Sequence, residues 1–226
     1  MPSDKKSSQS KSKVFIVEDH PIVCEHLVKI VNDQPDLVCC GTADSVPPAL
    51  KGIYETKPNL ALIDISLGDT NGLNLIKELK ETTPQLPTLV ISFMEESLYG
   101  ERVLRAGARG FVNKHESTQA IRQAIRTVLA GEIYISKTLA SKILDKAVSG
   151  DPKFLASPIE SLTDREIEVL QLLGKGRGSR EIAGTLSLSM KTVEVHRDRI
   201  KQKLRLKDAA ELVHFAINWV NEQNSK

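Results

Sequence analysis

The chain has 226 residues, of which 40% are hydrophobic and 27% are charged, and its formal net charge is +2 at pH 7. This length suits two domains better than one, and the composition is typical of a globular protein. No apolar run approaches the roughly 18 residues of a membrane span, and the Ser/Lys-rich start lacks the apolar stretch of a secretory signal. We therefore expect a cytoplasmic protein that makes no membrane contact and begins with a disordered arm over residues 1–12.

Positive charge is concentrated near the C-terminus. Residues 14–150 contain 14 Lys/Arg against 17 Asp/Glu, whereas residues 191–207 contain seven Lys/Arg against two acids. A solvated helix face would explain such a run as well as a nucleic-acid surface would. The neighbouring sequence must therefore decide between them.

Short apolar runs alternate with amphipathic stretches over the first 130 residues. The runs are typical of strands buried on both faces, and they cover residues 14–17, 37–42, 60–63, 88–91 and 110–112. Helical patterns follow at residues 21–32, 46–55, 72–81, 95–106 and 117–129. This alternation predicts an α/β fold with a doubly wound, five-stranded parallel sheet.

After residue 136 the pattern changes, and only helical segments follow. Residues 137–147 form one more helical pattern, and Gly, Pro and Ser mark the stretch from 149 to 158. We predict a first domain over 13–136, a partly helical linker over 137–157 and an all-α domain over 158–226.

Four of the predicted strands end in, or are followed by, chemically capable side chains. These are Glu18 and Asp19, Asp64, Ser92, and Lys114. The carboxyl ends of parallel strands share one edge of the sheet, so three carboxylates would meet there and require a cation. Oxygen ligands around a small cleft suit Mg²⁺. Each residue alone has an ordinary structural explanation, such as a loop acid or a surface lysine, and only their occurrence together at four strand ends predicts a functional site.

Three segments carry a resemblance to a known family. Residues 14–21 (VFIVEDHP), 62–67 (LIDISL) and 106–114 (AGARGFVNK) resemble the receiver domain of two-component response regulators. The resemblance implies strand order 2-1-3-4-5. It also implies that Asp64 accepts a phosphoryl group from a sensor histidine kinase, and that Mg²⁺ is held by Glu18, Asp19, Asp64 and the main-chain carbonyl of Ser66.

The resemblance also implies how the phosphoryl group is sensed. Lys114 would neutralise it, Ser92 would hydrogen-bond one of its oxygens, and Phe111 would turn inward into the space that Ser92 leaves. Many receivers have proline after the lysine, where this chain has His115.

Two other proteins built on this type of sheet fit the sequence less well. A flavodoxin needs a Ser/Thr/Gly-rich phosphate loop after the first strand, where Glu18 and Asp19 would repel the FMN phosphate. An aspartate-based phosphatase would carry its nucleophile and a second, acidic Asp on one strand end, but Ser66 stands two residues after Asp64.

The C-terminal segment predicts four helices. Thr163 and Glu166 form a capping box, and helices are predicted from there to Gly174, over 179–186, from an N-cap at Ser189 to Leu204, and from Ala209 to about Val220. A short helix, a tight turn and a basic second helix make a helix-turn-helix. A plain helical bundle is the alternative that this pattern alone leaves open.

Residues 162–170 (LTDREIEVL), 189–197 (SMKTVEVHR) and 200–204 (IKQKL) resemble the LuxR-type domain of the NarL/FixJ response regulators. On the recognition helix, Glu194 and Val195 are candidates for base contacts. The candidates for phosphate contacts are Lys191, Thr192, His196, Arg197, Arg199 and Lys203. For His196, a structural hydrogen bond is an equally good explanation. The fourth helix would serve dimerisation.

Together these features predict a transcription regulator rather than an enzyme. Phosphorylation of Asp64 would promote dimerisation or release the helix-turn-helix, which would then bind a two-fold symmetric promoter site, with RNA polymerase as a further partner. Two alternatives are a DNA-binding protein that is independent of phosphorylation, and a stand-alone phosphoryl-transfer enzyme. The intact acid set argues against the first, and slow autodephosphorylation is all that is expected of the second.

Overall fold

A computed structural model describes residues 11–67, 70–149 and 158–224, and the chain divides into two compact units, Met1–Ile143 and Leu144–Lys226. The division falls inside the segment that we predict as a linker. Most of the predicted disordered arm, and residues 150–157 of the predicted linker, lie outside the described residues.

The first unit alternates strands and helices. In chain order they are β1 (Ser12–Val17), α1 (Pro21–Asn32), β2 (Leu37–Ala43), α2 (Val46–Thr56), β3 (Leu60–Ile63), β4 (Ser66–Leu67), β5 (Thr70–Asn71), α3 (Gly72–Thr82), β6 (Thr88–Ser92), α4 (Glu96–Ala106), β7 (Gly110–Asn113) and α5 (Thr118–Leu129). Helix α6 (Lys137–Ser149) follows and contains the boundary between the units.

The main sheet is parallel and has the order β2-β1-β3-β6-β7. The predicted order 2-1-3-4-5 is therefore confirmed, because β4 and β5 pair only with each other and β6 and β7 are the fourth and fifth strands of the main sheet. The β4–β5 hairpin is not predicted, since two-residue strands are too short to show a period.

One boundary of the sequence prediction is wrong. The predicted arm extends to residue 12, but Ser12 pairs with Leu37 in the sheet and its N–H donates to the Asp36 carbonyl at 2.8 Å. The polar Ser12 and Lys13 conceal this strand start, because backbone hydrogen bonding in a sheet does not depend on an apolar side chain.

Apolar side chains bury both faces of the sheet, as the continuous apolar runs predict. All four residues of β3 and all five of β6 are buried. One core lies between the sheet and helices α1 and α5, where Leu27, Ile30 and Ile125 pack against strand side chains. Because the core fixes each strand, it also fixes the side chains that follow the carboxyl ends of the strands.

Gly72 opens α3 and packs directly on Asp64, the residue that follows β3. Its N–H donates to the Ile65 carbonyl at 2.8 Å, and a Cβ added here would overlap the Asp64 carbonyl oxygen. Only glycine permits this approach of two backbone segments.

We expect Gly72→Ala to destabilise the first unit by about 2 kcal/mol, because the backbone at Asp64 must shift to admit the methyl group. Thermal unfolding followed by circular dichroism measures this. Gly184→Ala is the control, since a Cβ there meets nothing within 4 Å and alanine should stabilise that helix position. Equal stability of Gly72→Ala and wild type would contradict the predicted overlap.

The second unit is helical and contains the predicted helix-turn-helix. A short 3₁₀ helix (Pro158–Ser161) precedes α7 (Asp164–Gly174), α8 (Ser179–Thr185), α9 (Met190–Leu204) and α10 (Ala209–Asn224). The capping box of Thr163 and Glu166 begins α7, and Ser189 caps α9 by accepting from the Thr192 N–H at 3.0 Å. Both caps are confirmed, and α10 extends four residues beyond the predicted end.

The core of the second unit forms around α7. Val193 and Ile200 of α9 are fully buried, and so are Leu212 and Ala216 of α10. This burial leaves the opposite side of α9 exposed. Among the described residues of both units, no helix has the length and apolar character needed to cross a membrane.

Candidate functional site

Acidic side chains from two adjacent strands meet at the carboxyl edge of the sheet. Glu18, Asp19 and His20 follow β1 and Asp64 follows β3, and a ligand atom of each lies within 4.8 Å of the others. Glu18 and Asp64 are almost wholly buried, at 3% and 2% exposure. The pairing of β1 with β3 brings these acids together, as the predicted sheet requires.

Lys114, which follows β7, inserts its ammonium between the two buried carboxylates. Its Nζ lies 2.6 Å from Glu18 Oε2 and 2.7 Å from Asp64 Oδ2, and only 3% of its side chain is exposed. The Lys114 N–H donates to the Ser92 carbonyl at 2.8 Å, which anchors the residue at the end of β6. The buried Lys114 ammonium therefore places a positive charge directly beside the Asp64 carboxylate.

The buried position of Asp64 changes its acidity. Burial raises the pKa of Asp64 to about 6, with a further upward contribution from Glu18, although the Lys114 ammonium opposes the rise. Carboxylates that are crowded and desolvated in this way are stabilised by additional positive charge.

The donor set fits a small, hard cation. Asp64 Oδ1 is buried and has no hydrogen-bond partner among the described residues, and carboxylate oxygens of Glu18 and Asp19 lie beside it. His20 also belongs to the cluster, although the sequence did not predict it: its Nδ1 lies 2.8 Å from Asp19 Oδ1 and 3.2 Å from Glu18 Oε1. Its place directly after the two acids is the signal that could have indicated it.

The other residues predicted for this site surround the acids. Ser92 is buried at the end of β6, and its Oγ accepts from the Met94 N–H at 3.2 Å. Phe111 is 2% exposed, so its ring is already inward. Ser66 lies in β4 two residues after Asp64, and its backbone N–H contributes to lowering the pKa of Asp64.

Phe93 is a further residue that sequence analysis missed. Half of it is exposed, its ring centre lies 4.9 Å from Lys114 Nζ, and it packs against His115 with 5.0 Å between ring centres. The ring therefore covers one side of the buried ammonium. An aromatic residue immediately after the strand-end Ser92 was the available signal.

The exposed side of α9 presents the residues predicted to contact DNA. Lys191, Glu194, Val195 and Arg199 are exposed, and Thr192 is partly exposed. His196 is half-buried, its Nδ1 has no hydrogen-bond partner among the described residues, and burial lowers its pKa.

Two of the predicted phosphate contacts are engaged within the second unit. Lys203 Nζ lies 2.7 Å from Oε2 of the buried Glu166, and Arg197 Nη1 contacts Ser179 Oγ at 2.5 Å and Glu194 Oε1 at 3.2 Å. The structure thus gives Lys203 and Arg197 partners that the spacing of the sequence does not reveal.

Comparison with family models assigns both units. Residues 14–126 match the response regulator receiver domain, and residues 160–216 match the bacterial regulatory proteins of the luxR family. The oxygen regulatory protein NreC of Staphylococcus aureus is 34% identical over 209 residues, covering 91% of this chain and 96% of NreC. The chain is a two-component response regulator of the NarL/FixJ family. Its members are DNA-binding transcription regulators, with a receiver and a LuxR-type domain.

Solved structures show the same fold for this response regulator. A LuxR-family response regulator from Aurantimonas sp. is 25% identical with a TM-score of 0.57, covering 62% of this chain and 99% of that one. RcsB of Salmonella typhimurium is 23% identical with a TM-score of 0.60, covering 92% and 98%. RcsB of Salmonella enterica, bound to the promoter rprA with beryllofluoride, is 22% identical with a TM-score of 0.57, covering 92% and 98%.

Proposed function

We propose that Asp64 accepts a phosphoryl group from a sensor histidine kinase and that this modification controls DNA binding by α9. The observation that carries the proposal is the buried Asp64 carboxylate, whose Oδ2 is held by Lys114 at 2.7 Å and whose Oδ1 has no hydrogen-bond partner in the part of the chain that the structure describes. Asp64 is the nucleophile, and Lys114 neutralises the charge that accumulates on the transferred phosphoryl oxygens.

Glu18, Asp19, Asp64 and the Ser66 carbonyl are the proposed ligands of Mg²⁺. Bound Mg²⁺ supplies positive charge that offsets the repulsion between the carboxylates and the phosphoryl oxygens. The buried Glu18 and Asp64 supply oxygen ligands whose positions are fixed by β1 and β3. Lys114, which follows β7, places a second positive charge 2.7 Å from Asp64 Oδ2, so the ammonium would share with Mg²⁺ the neutralisation of the phosphoryl oxygens.

Ser92 and Phe111 are the proposed means by which the modification is sensed. The Ser92 hydroxyl, now accepting from the Met94 N–H, would donate to a phosphoryl oxygen. Phe111, whose ring is already buried, would then shift into the space that Ser92 leaves. This shift would alter the face of the domain around residues 95–104.

The second unit is proposed to bind promoter DNA through α9. Glu194 and Val195 are placed to contact base edges, and Lys191, Thr192, His196 and Arg199 to contact phosphates. Lys203 and Arg197 fit this role less well because both are paired within the unit. The similar RcsB has been solved bound to promoter DNA in the presence of a phosphomimetic, which supports promoter binding by this chain.

Dimerisation is proposed to run through α10. Leu212 and Ala216 pack within their own unit, whereas Ile217 is 39% exposed and Val213 is partly exposed, so both are free to meet a second copy. A homodimer presents two copies of α9 and therefore selects a two-fold symmetric site. RNA polymerase is the expected further partner at such a site.

Titration with Mg²⁺ and beryllofluoride tests the receiver half of this proposal. We expect a rise in the melting temperature of the first unit that requires both reagents, because the phosphoryl mimic binds the folded site only. Asp64→Asn should show no such rise. A rise of the same size in Asp64→Asn, or none in wild type, would instead favour a DNA-binding protein that is independent of phosphorylation.

A further inference from the structure

We infer that Ser179 and Arg197 position the Glu194 carboxylate, so that specificity at one base pair depends on two residues that touch no base. The inference rests on the proposed function, in which α9 enters the major groove. It assigns Arg197 a different role from the phosphate contact that the sequence suggests.

The three side chains form a closed hydrogen-bonded triangle. Ser179 Oγ donates to Glu194 Oε1 at 2.5 Å, and Arg197 Nη1 donates to Ser179 Oγ at 2.5 Å and to Glu194 Oε1 at 3.2 Å. A hydroxyl has one donor and two acceptor sites, so Ser179 satisfies both partners at once. The triangle fixes a carboxylate that would otherwise rotate freely on an exposed side chain.

The triangle also joins two helices. Ser179 is the first residue of α8, whereas Glu194 and Arg197 lie on α9. Only 18% of the Arg197 side chain is exposed, against 54% for Glu194. The guanidinium therefore lies behind the carboxylate, and the carboxylate faces the solvent that DNA would replace.

The Arg197 guanidinium also compensates the negative charge of Glu194. A bare carboxylate entering a groove lined with phosphates is repelled, and that repulsion weakens binding to every sequence. Arg197 compensates the charge within the protein, at 3.2 Å. The hydrogen bonds from Ser179 and Arg197 both end on Glu194 Oε1, and no described residue hydrogen-bonds Oε2. Oε2 is then available to accept a hydrogen bond from cytosine N4.

Selection from randomised duplex DNA, with phosphorylated full-length protein, tests the inference. Glu194→Gln identifies the base pair that Glu194 reads. We expect Ser179→Ala and Arg197→Met each to reduce the preference at that same base pair by about fivefold. This is less than the full discrimination of one good side-chain contact to a base, because Glu194 itself is still present. Thr185→Ala is the matched control, because this hydroxyl of α8 donates to the Glu181 carbonyl of its own helix, and the base preferences of the variant should equal those of wild type.

The salt dependence of affinity provides a second readout. Arg197→Met should leave the slope of log affinity against log salt unchanged, whereas Lys191→Gln should reduce it by about 0.9. A slope reduced by about one in Arg197→Met, with base preferences intact, would identify a phosphate contact and overturn the inference.

Different outcomes overturn the positioning role and the proposed DNA contact of α9. Unchanged preferences in Ser179→Ala and Arg197→Met, beside an altered preference in Glu194→Gln, overturn the positioning role alone. Wild-type affinity and preferences in both Lys191→Gln and Glu194→Gln overturn the proposed use of α9 and the positioning role with it. Melting curves of each variant confirm that the second unit is folded.

Discussion

Lys114→Met is expected to slow phosphorylation of Asp64 by acetyl phosphate and Mg²⁺ by about 100-fold. Removing a preorganised charge from a buried reaction site has effects of this order. Lys114 Nζ lies 2.7 Å from Asp64 Oδ2 and 2.6 Å from Glu18 Oε2, so methionine would leave two buried carboxylates facing each other without their shared ammonium. The incoming phosphoryl oxygens would then meet uncompensated negative charge.

Mass spectrometry of the intact protein over time measures the rate of phosphorylation. Lys77→Met is the matched control, because Lys77 lies on the exposed face of α3, and its rate should equal that of wild type. Lys114→Arg retains the positive charge in a larger group, and its phosphorylation rate should lie between those of Lys114→Met and wild type. A wild-type rate in Lys114→Met would show that the ammonium has no part in the transfer.

Lys203→Met is expected to destabilise the second unit by about 2 kcal/mol at pH 7. The Glu166 carboxylate is 1% exposed and receives hydrogen bonds from Lys203 Nζ and the Thr163 N–H, both at 2.7 Å. Removing one partner of a buried charged acceptor costs on the order of 1–3 kcal/mol. The substitution should lower stability more than DNA binding, because Lys203 connects α9 to the N-terminus of α7 through Glu166.

The effect should depend on pH in a defined direction. Burial alone would raise the pKa of Glu166, but hydrogen bonds from Lys203 and Thr163 outweigh burial and hold the pKa below its ordinary value. Glu166 therefore stabilises the fold fully above its ordinary pKa of 4.5, and this stability is lost as the pH falls through the lower pKa of the folded state. The difference between wild type and Lys203→Met should shrink in acid.

Urea unfolding followed by fluorescence measures this stability, because the single tryptophan, Trp219, is buried in the second unit. Lys201→Met is the control: Lys201 pairs with the exposed Asp198 on the same helix, and such pairs contribute about 0.5 kcal/mol or less. Equal stability losses in the two variants at pH 7, unchanged in acid, would contradict the special role of the buried Glu166.

Sequence patterns predict the main sheet and most of the acidic site. The five parallel strands follow from the apolar runs, their order follows from the receiver resemblance, and the structure confirms both. The meeting of Glu18, Asp64 and Lys114 follows from their positions after strands, because parallel strands present their carboxyl ends at one edge. No long-range side-chain information is needed for this step.

The remaining contacts depend on side-chain geometry between distant elements. Lys203 and Arg197 carry the same charge as Lys191 in the sequence, yet only the packing of α9 on α7 and α8 reveals that Glu166 and Ser179 engage them. Phe93 is likewise recognised as a cover for Lys114 only once β6 and β7 are adjacent. The sequence patterns predict which residues are basic or aromatic, and the tertiary packing determines which partners they contact.

The most direct measurement of the central claim is the affinity for a promoter fragment before and after treatment with acetyl phosphate and Mg²⁺. The fragment would be one selected by the phosphorylated wild-type protein, and Asp64→Asn would be measured beside wild type. We expect treatment to tighten wild-type binding by about tenfold or more, which lies within the ordinary range of coupling energies between two sites, and to leave Asp64→Asn unchanged. Equal affinities of treated and untreated wild-type protein would contradict control of DNA binding by Asp64.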